Sequence, residues 1–380
     1  MRTRHRCWAE IDLDALRENL AWLRHCVGPD VKIMTVVKAD AYGHGLKEIA
    51  ALLMQSGTDI FGVANLAEAR SVHAVGRGWP VLMLGACLPE EVESAVRDGV
   101  MPTISSIEEA RQFSRVGVRL NRLVNAHIKV DTGMGRLGVD PGRAVDLILR
   151  TAQLPGVRVA GVFTHFASVE DDATFSRTQR EWFVKILADL KVRGVDVSMV
   201  HANNSGAVLH EPNSMFTLIR PGLLVYGILP SGKRRFTSTL QRHLRPALAL
   251  KCRVGLVKEI QRGMSLSYGR TFVAPRKMRV ATVTAGYGDG YMRAGSNRAQ
   301  VLIRGRRCRV LGRITMDQTM VDVSGLRSIE VGDEVVLIGR QKNEEIRVSE
   351  LAGWCGTIPW EVLTAISHRV PRVYRGSHAA

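Results

Sequence analysis

Lys38 closes a run of apolar and β-branched residues, VKIMTVV (31–37), and the decapeptide VVKADAYGHG (36–45) then adds a tyrosine and a glycine-rich turn. A buried strand that lifts a lysine into a cavity strips water from its ammonium and favours the neutral, nucleophilic amine. Such an amine can condense with a carbonyl, which is how pyridoxal phosphate (PLP) is attached to a protein as a Schiff base. A single lysine after a strand is more often simply solvated, so the assignment depends on which other side chains reach the same place.

Eight near-continuous apolar runs punctuate the first two thirds of the chain: VKIMTVV (31–37), IFGVA (60–64), VLMLG (81–85), MPTIS (101–105), LVNAHIKV (123–130), VRVAGVFTHF (157–166), VDVSMVHA (195–202) and FTLIR (216–220). Amphipathic segments alternate with them, such as LKEIAALLMQSG (46–57), with Leu46, Ile49, Ala50 and Leu53 on one face, and TFSRTQREWFVKILADLKVRG (174–194). Strands that are hydrophobic throughout and followed by helices belong to a parallel sheet buried on both faces. Eight such units predict an α/β fold, a closed (β/α)8 TIM-type barrel over residues 11–240. An open doubly wound sheet is the alternative, although no GxGxxG follows the first strand.

Beyond residue 240 alternating runs lie between glycine turns: MRVATVTAGYGDG (278–290), AQVLIRGRRCRVLGRI (299–314) and VGDEVVLIG (331–339). These predict a smaller C-terminal all-β domain over 241–380. The first ten residues, ahead of a helix DLDALRENLAWL (12–23), are expected to add a strand to that domain. Helical periodicity returns only at VSELAGWC (348–355), and residues 376–380 read as a frayed tail.

Barrel enzymes carry their reactive groups at the C-terminal ends of the strands. Lys38 ends the first strand here; Arg136 follows the fifth within KVDTGMGRLG (129–138); His165 ends the sixth, His201 the seventh and Arg220 the eighth. Singly, these histidines read as core residues and these arginines as structural ion-pair partners. Jointly they occupy one catalytic rim. Ser205-Gly206 and Gly222-Leu223 lie after strands seven and eight, where backbone N–H groups can cradle a phosphate.

The chain resembles the alanine racemase family over nearly its full length. The resemblance rests on WAEIDLDALRENL (8–20), VVKADAYGHG (36–45), KVDTGMGRLG (129–138), THFA (164–167), HANNSGA (201–207), IRPGLLVYG (219–227), LSYGRTF (266–272), GYGDGYMR (286–293), GRITMDQTMVDV (312–323) and WEVLTAISHRVPR (360–372), in order. It implies that Lys38 carries PLP, that Tyr42, Ser205 and the backbone of Gly222 and Leu223 hold its phosphate, that His201 packs on the pyridine ring, and that Arg220 faces the ring nitrogen. It further implies that Tyr268 is a second catalytic base, with Arg136 and His165 orienting it. Arg136, Tyr287 and the backbone N–H of Met316 would contact the substrate carboxylate. Lys129, His165 and Asp317 would support these groups from behind. In this family Tyr268, Tyr287 and Met316 enter from the partner subunit, so a head-to-tail homodimer with shared sites is implied.

Two bases suit a racemase, because one face of Cα loses a proton while the other gains one. A phenol is a poor base at neutral pH, and a cation such as Arg136 would stabilise its phenolate. An arginine facing the pyridine nitrogen disfavours ring protonation and should limit transamination. Lys129 aligns with a lysine that is carbamylated in some family members; an unmodified lysine paired with an acid is the alternative. Two positions depart from the family. Thr315 replaces a common cysteine, and Trp360 replaces a tyrosine whose hydroxyl reaches the phosphate. An indole donates its N–H from a different point.

The bulk properties fit. A chain of 380 residues predicts two domains, and 46% hydrophobic with 23% charged residues is an ordinary soluble composition. No apolar stretch approaches the ~20 residues of a membrane span, and the N-terminal MRTRHRCWAEIDLD lacks the apolar core of a secretory signal. Six scattered cysteines without a CxxC pair fit a reducing cytoplasm and predict no metal site. The net charge of +17 is spread in short clusters such as RTRHR (2–6), KRR (233–235) and RGRRCR (304–309), with only 6% aromatics, so nucleic acid is not an expected partner. The expected activity is PLP-dependent interconversion of L- and D-alanine, supplying D-alanine for peptidoglycan. The alternatives are a racemase of broader range, acting on serine or other small amino acids, a barrel-type PLP decarboxylase, and a non-catalytic PLP-binding barrel. A GGG-type phosphate loop and a decarboxylase-type cysteine are missing, and a single barrel would lack the domain that supplies Tyr268.

Overall fold

In the computed structural model, which describes residues 5–210, 215–230, 232 and 243–376, the eight apolar runs are eight parallel strands. After β1 (Cys7–Asp12) come β2 (Lys32–Val36), β3 (Ile60–Val63), β4 (Val81–Met83), β5 (Met101–Ile104), β6 (Val124–Lys129), β7 (Val157–Phe163), β8 (Met199–His201) and β9 (Leu218–Ile219). Neighbours pair in sequence from β2 to β8, and β9 returns to pair with β2. Thr217 N–H donates to Val200 C=O at 3.0 Å and Arg220 N–H to Asn203 C=O at 2.8 Å across the remaining seam. The result is the expected barrel, nearly closed. Its interior is packed, with Met34, Ile60, Leu82, Met101 and Leu218 from five strands forming one apolar layer.

Helices cover the ring, and polar caps start them: Asp12, Asn65, Ser106, Asp140 and Asp172 each accept a backbone N–H at the helix that follows. The first, Leu13–Val27, starts where the sequence predicts and runs four residues further than expected.

The second domain holds β10 (Leu248–Ile260), β11 (Ser265–Leu266), β12 (Phe272–Val273), β13 (Met278–Val283), β14 (Gln300–Ile303), β15 (Arg306–Arg309), β16 (Thr319–Asp322), β17 (Glu334–Gln341), β18 (Glu344–Ile346) and β19 (Arg372–Arg375). β1 pairs antiparallel with β10 and parallel with β19, so the chain's start belongs to this sheet. The helices Val348–Cys355 and Pro359–Thr364 make the domain mostly, rather than wholly, β. The boundary expected at 240/241 and the KRR cluster (233–235) lie outside the described residues, as do residues 377–380 of the expected tail.

Directly after β2 the backbone turns left-handed. Ala39, Asp40, Ala41 and Tyr42 all have φ of 53–54° and ψ of 43–54°. Left-handed helical geometry costs about 1–2 kcal/mol for each such residue, so outside contacts must hold it. Glu68 Oε1 accepts from Ala39 N–H at 2.8 Å, and Asp40 Oδ1 accepts from Leu46 N–H at 2.7 Å. From the second domain, Arg372 Nε donates to Gly43 C=O at 3.0 Å and Tyr374 Oη to His44 C=O at 3.1 Å. Gly43 has φ of +78°, and a Cβ there would collide with the carbonyl oxygen of Leu363. Gly43→Ala should therefore cost about 3 kcal/mol from the combined strain and clash; urea unfolding of the variant measures it.

Candidate active site

The left-handed turn presents Lys38 at the barrel mouth. Its pKa is lowered by burial and by the charge of Arg136, with Glu68 opposing. The Glu68 carboxylate bridges two strand ends, its Oε1 on Ala39 N–H and its Oε2 on Ala64 N–H at 2.7 Å. The peptide after Lys38 is thus pinned from the helix that follows the neighbouring strand.

Arg220 is 4% exposed, and its hydrogen-bond acceptors are neutral. Nη1 donates to His201 Nδ1 at 2.7 Å; Nη2 donates to Thr164 C=O at 2.7 Å, Ala202 C=O at 2.9 Å and, more loosely, His165 Nδ1 at 3.3 Å. Burial pulls its pKa down to about 9, which leaves it cationic at neutral pH. A guanidinium has only donors to offer, so both histidines present Nδ1 as acceptor and carry their proton on Nε2. Burial, then Arg220, holds both well below the usual imidazole range. His165 is therefore neutral with its Nε2–H facing away from Arg220. His201 passes the pattern inward, its Nε2 lying 2.9 Å from His127 Nδ1.

His201 is wholly buried, with one face stacked on Phe163 at 4.6 Å and 4°. Both its nitrogens are engaged, with Arg220 and His127, so it supports the guanidinium from behind.

The residues expected to hold a phosphate lie together. Ser205 Oγ accepts from Gly222 N–H at 3.0 Å and weakly from Leu224 N–H at 3.5 Å. Tyr42 Oη lies 2.6 Å from where a Cβ on Gly222 would sit, so only glycine lets the phenol reach this turn. Leu223 follows, buried. Val36 N–H donates to Pro221 C=O at 3.1 Å, which ties the turn to the strand that carries Lys38. A lysine of lowered pKa, a cradle of N–H and hydroxyl groups, and a buried cation form a donor set that fits PLP. Half-buried Trp360 lies on the helix Pro359–Thr364, whose Leu363 abuts Gly43, so its helix flanks the same turn.

Lys129 lies on β6, 3% exposed, with Nζ 5.6 Å from the Phe163 ring centre. Burial, Arg220 and Arg136 pull its pKa down to about 8 against the pull of Asp131. Asp131 Oδ1 accepts from the N–H groups of Gly133, Met134 and Gly135 at 2.8–3.0 Å, which shapes the loop that carries exposed Arg136.

Tyr268, Tyr287 and Met316 stand apart from this cluster, on the second domain. Tyr268 caps the β11–β12 hairpin and is 70% exposed. Ser267, Gly269 and Arg270 around it have φ of 64°, 69° and 51°. Tyr287 N–H donates to Thr315 C=O at 3.0 Å. In a trans peptide the N–H points opposite the C=O, so the Met316 N–H faces away from the Tyr287 loop. Asp317 accepts from Arg369 Nη1 at 3.0 Å. Glu68, His127 and Phe163 are the site residues that strand-end reasoning missed. His127 was findable, being two residues before Lys129 on one strand and hence on the same face.

Two family models match: "Alanine racemase, N-terminal domain" over residues 11–230 and "Alanine racemase, C-terminal domain" over 247–374. The chain is 42% identical to the alanine racemase of Symbiobacterium thermophilum over 98% of both chains. It is 39% identical to that of Halothermothrix orenii over 97% of this chain and 96% of the relative. Among solved structures, an alanine racemase of Clostridium difficile superposes with a TM-score of 0.92 at 36% identity, covering 98% of this chain and 97% of that one. The enzyme from D-cycloserine-producing Streptomyces lavendulae gives 0.91 at 34% identity, covering 99% and 98%.

Proposed function

This chain belongs to the alanine racemase family, a family of isomerases, and from that premise we propose that it interconverts L- and D-alanine with PLP held on Lys38. The observation that carries the cofactor reading is the meeting of Lys38, the Tyr42–Ser205–Gly222 cradle and Arg220, whose acceptors among the described residues are all neutral, at one barrel mouth. When bound, PLP supplies an electron sink that acidifies the substrate Cα–H. Tyr42, Ser205 and the backbone of Gly222 and Leu223 hold its phosphate, and Arg220 is assigned to the ring nitrogen. Trp360, lacking the family's hydroxyl, closes the site by packing.

Lys38 serves one face of Cα. The partner subunit's Tyr268 serves the other, in a head-to-tail homodimer that also brings the partner's Tyr287 and Met316 to the substrate carboxylate. Arg136 stabilises the phenolate, and His165 donates to it through Nε2–H. The enzyme acts in the cytoplasm, upstream of peptidoglycan assembly; among the described residues no helix is long and apolar enough to cross a membrane. Assaying L-alanine, L-serine and larger L-amino acids for D-product and for carbon dioxide tests this reading. D-alanine should form fastest, and decarboxylation as the main reaction would overturn it.

Lys129 is carbamylated in this reading, giving Arg136 an anionic partner. Only a neutral amine attacks carbon dioxide, and a pKa of about 8 leaves much of Lys129 neutral near that pH. Carbon-13 bicarbonate should therefore give a carbamate NMR signal that fades as pH falls below the pKa and disappears in Lys129→Ala. An unlabelled Lys129 at pH 8 would show the unmodified form.

A further inference from the structure

Arg369 and Arg372, three residues apart, hold two places that the proposed reaction needs at once. Arg372 is nearly enclosed, its side chain 10% exposed. Nη1 donates to the carbonyls of Ser367 and Val370, both at 2.7 Å, and Nη2 to that of Ile366 at 3.0 Å. The guanidinium thus rolls residues 366–370 around itself and spends Nε on Gly43 C=O at the end of the lysine turn. Its Nη2 also lies 4.0 Å from Asp40 within that turn.

The same segment grips the opposite side. Ser367 Oγ donates to Gly288 C=O at 2.8 Å. Arg369 donates from Nε to Asp289 at 2.9 Å, from Nη1 to Asp317 at 3.0 Å and from Nη2 to Met316 C=O at 3.3 Å. Asp289 in turn accepts from Gly286 N–H at 2.9 Å, and Gly288 N–H donates to Met316 C=O at 2.9 Å. The Tyr287 and Met316 loops are thereby locked to each other and to this segment.

We propose that Ile366–Arg372 is a positioning strap, in which Arg372 sets the presentation of Lys38 while Arg369 sets the loops that meet the substrate carboxylate. The strap rests on the reading of Lys38 as the cofactor lysine and of the two loops as carboxylate contacts. Neither arginine touches substrate or cofactor. Each acts through backbone it holds, and in a head-to-tail dimer one strap would serve its own lysine and its partner's substrate.

Arg372→Gln, Arg372→Lys and Arg369→Gln, made in the full-length holoenzyme, test it through cofactor dissociation and through KM against kcat for L-alanine. Arg372→Gln should weaken PLP retention about tenfold, the scale of one lost charge-assisted hydrogen bond, and leave KM within about twofold. Arg372→Lys should behave alike, because a single ammonium cannot serve four carbonyls in fork geometry. It also reads the same arm should the glutamine variant not fold. Arg369→Gln should raise KM about tenfold with PLP retention unchanged. Rescue by Arg372→Lys would overturn the proposal, as would both positions moving both parameters alike or lowering only the melting temperature. A wild-type protein without lysine-bound PLP would refute the parent reading, and the strap with it.

Discussion

Replacing Lys38 by alanine should erase the visible absorbance of lysine-bound PLP and lower racemisation at least about a thousandfold, the scale of losing a positioned proton-transfer group. The fold should not suffer. Burial and Arg136 hold the folded-state pKa of Lys38 below its ordinary value. A lysine so shifted opposes folding at any pH below its unfolded pKa, because the unfolded chain binds the proton more readily. The variant should then melt at the same temperature as the wild type or higher near neutral pH. Thermal unfolding alongside the absorbance spectrum checks both halves. Activity above a tenth of wild type would refute the role of Lys38, and an unfolded variant would show that the lysine is structural.

Tyr268→Phe should separate the two faces of the substrate. One oxygen is lost from an exposed hairpin tip, so folding and the cofactor spectrum should persist. Cα deprotonation of one enantiomer should slow at least about a hundredfold in single turnover, while the other enantiomer slows far less. Equal losses would contradict a two-base mechanism. The exposure of Tyr268, Tyr287 and Met316 gives a second expectation. Mixing refolded Lys38→Ala and Tyr268→Phe chains should restore activity, because each mixed dimer holds one site with both groups intact. Random pairing predicts about a quarter of wild-type activity, and no recovery would place both bases in one subunit.

Much of the barrel and its rim was legible in the sequence. A parallel strand buried on both faces announces itself as a continuous apolar run, and the residue that ends the run falls at the catalytic rim. That reasoning placed Lys38, His165, His201 and Arg220 at strand ends without a structure. It could not find the left-handed turn. Ala39 and Ala41 carry no local signal for positive φ, and groups that hold the turn lie far off in the chain. Glu68 is 29 residues from Ala39 and Arg372 is 329 from Gly43. Nor could it show the surroundings of His201, because a histidine at a strand end carries no sign of its neighbours; the stacking on Phe163 and the bond to His127 appear only in the fold. The hairpin around Tyr268 was not among the runs read as strands, its two arms being only two residues each, and its use needs a second chain, to which strand periodicity is blind.

Incubating the purified protein and PLP with L-alanine in deuterium oxide tests the central claim most directly, by following chiral products and Cα labelling together. A racemase with proton donors on opposite faces should form D-alanine carrying deuterium at Cα and approach equal amounts of the two enantiomers. Labelled L-alanine without D-alanine, or release of carbon dioxide in its place, would contradict it.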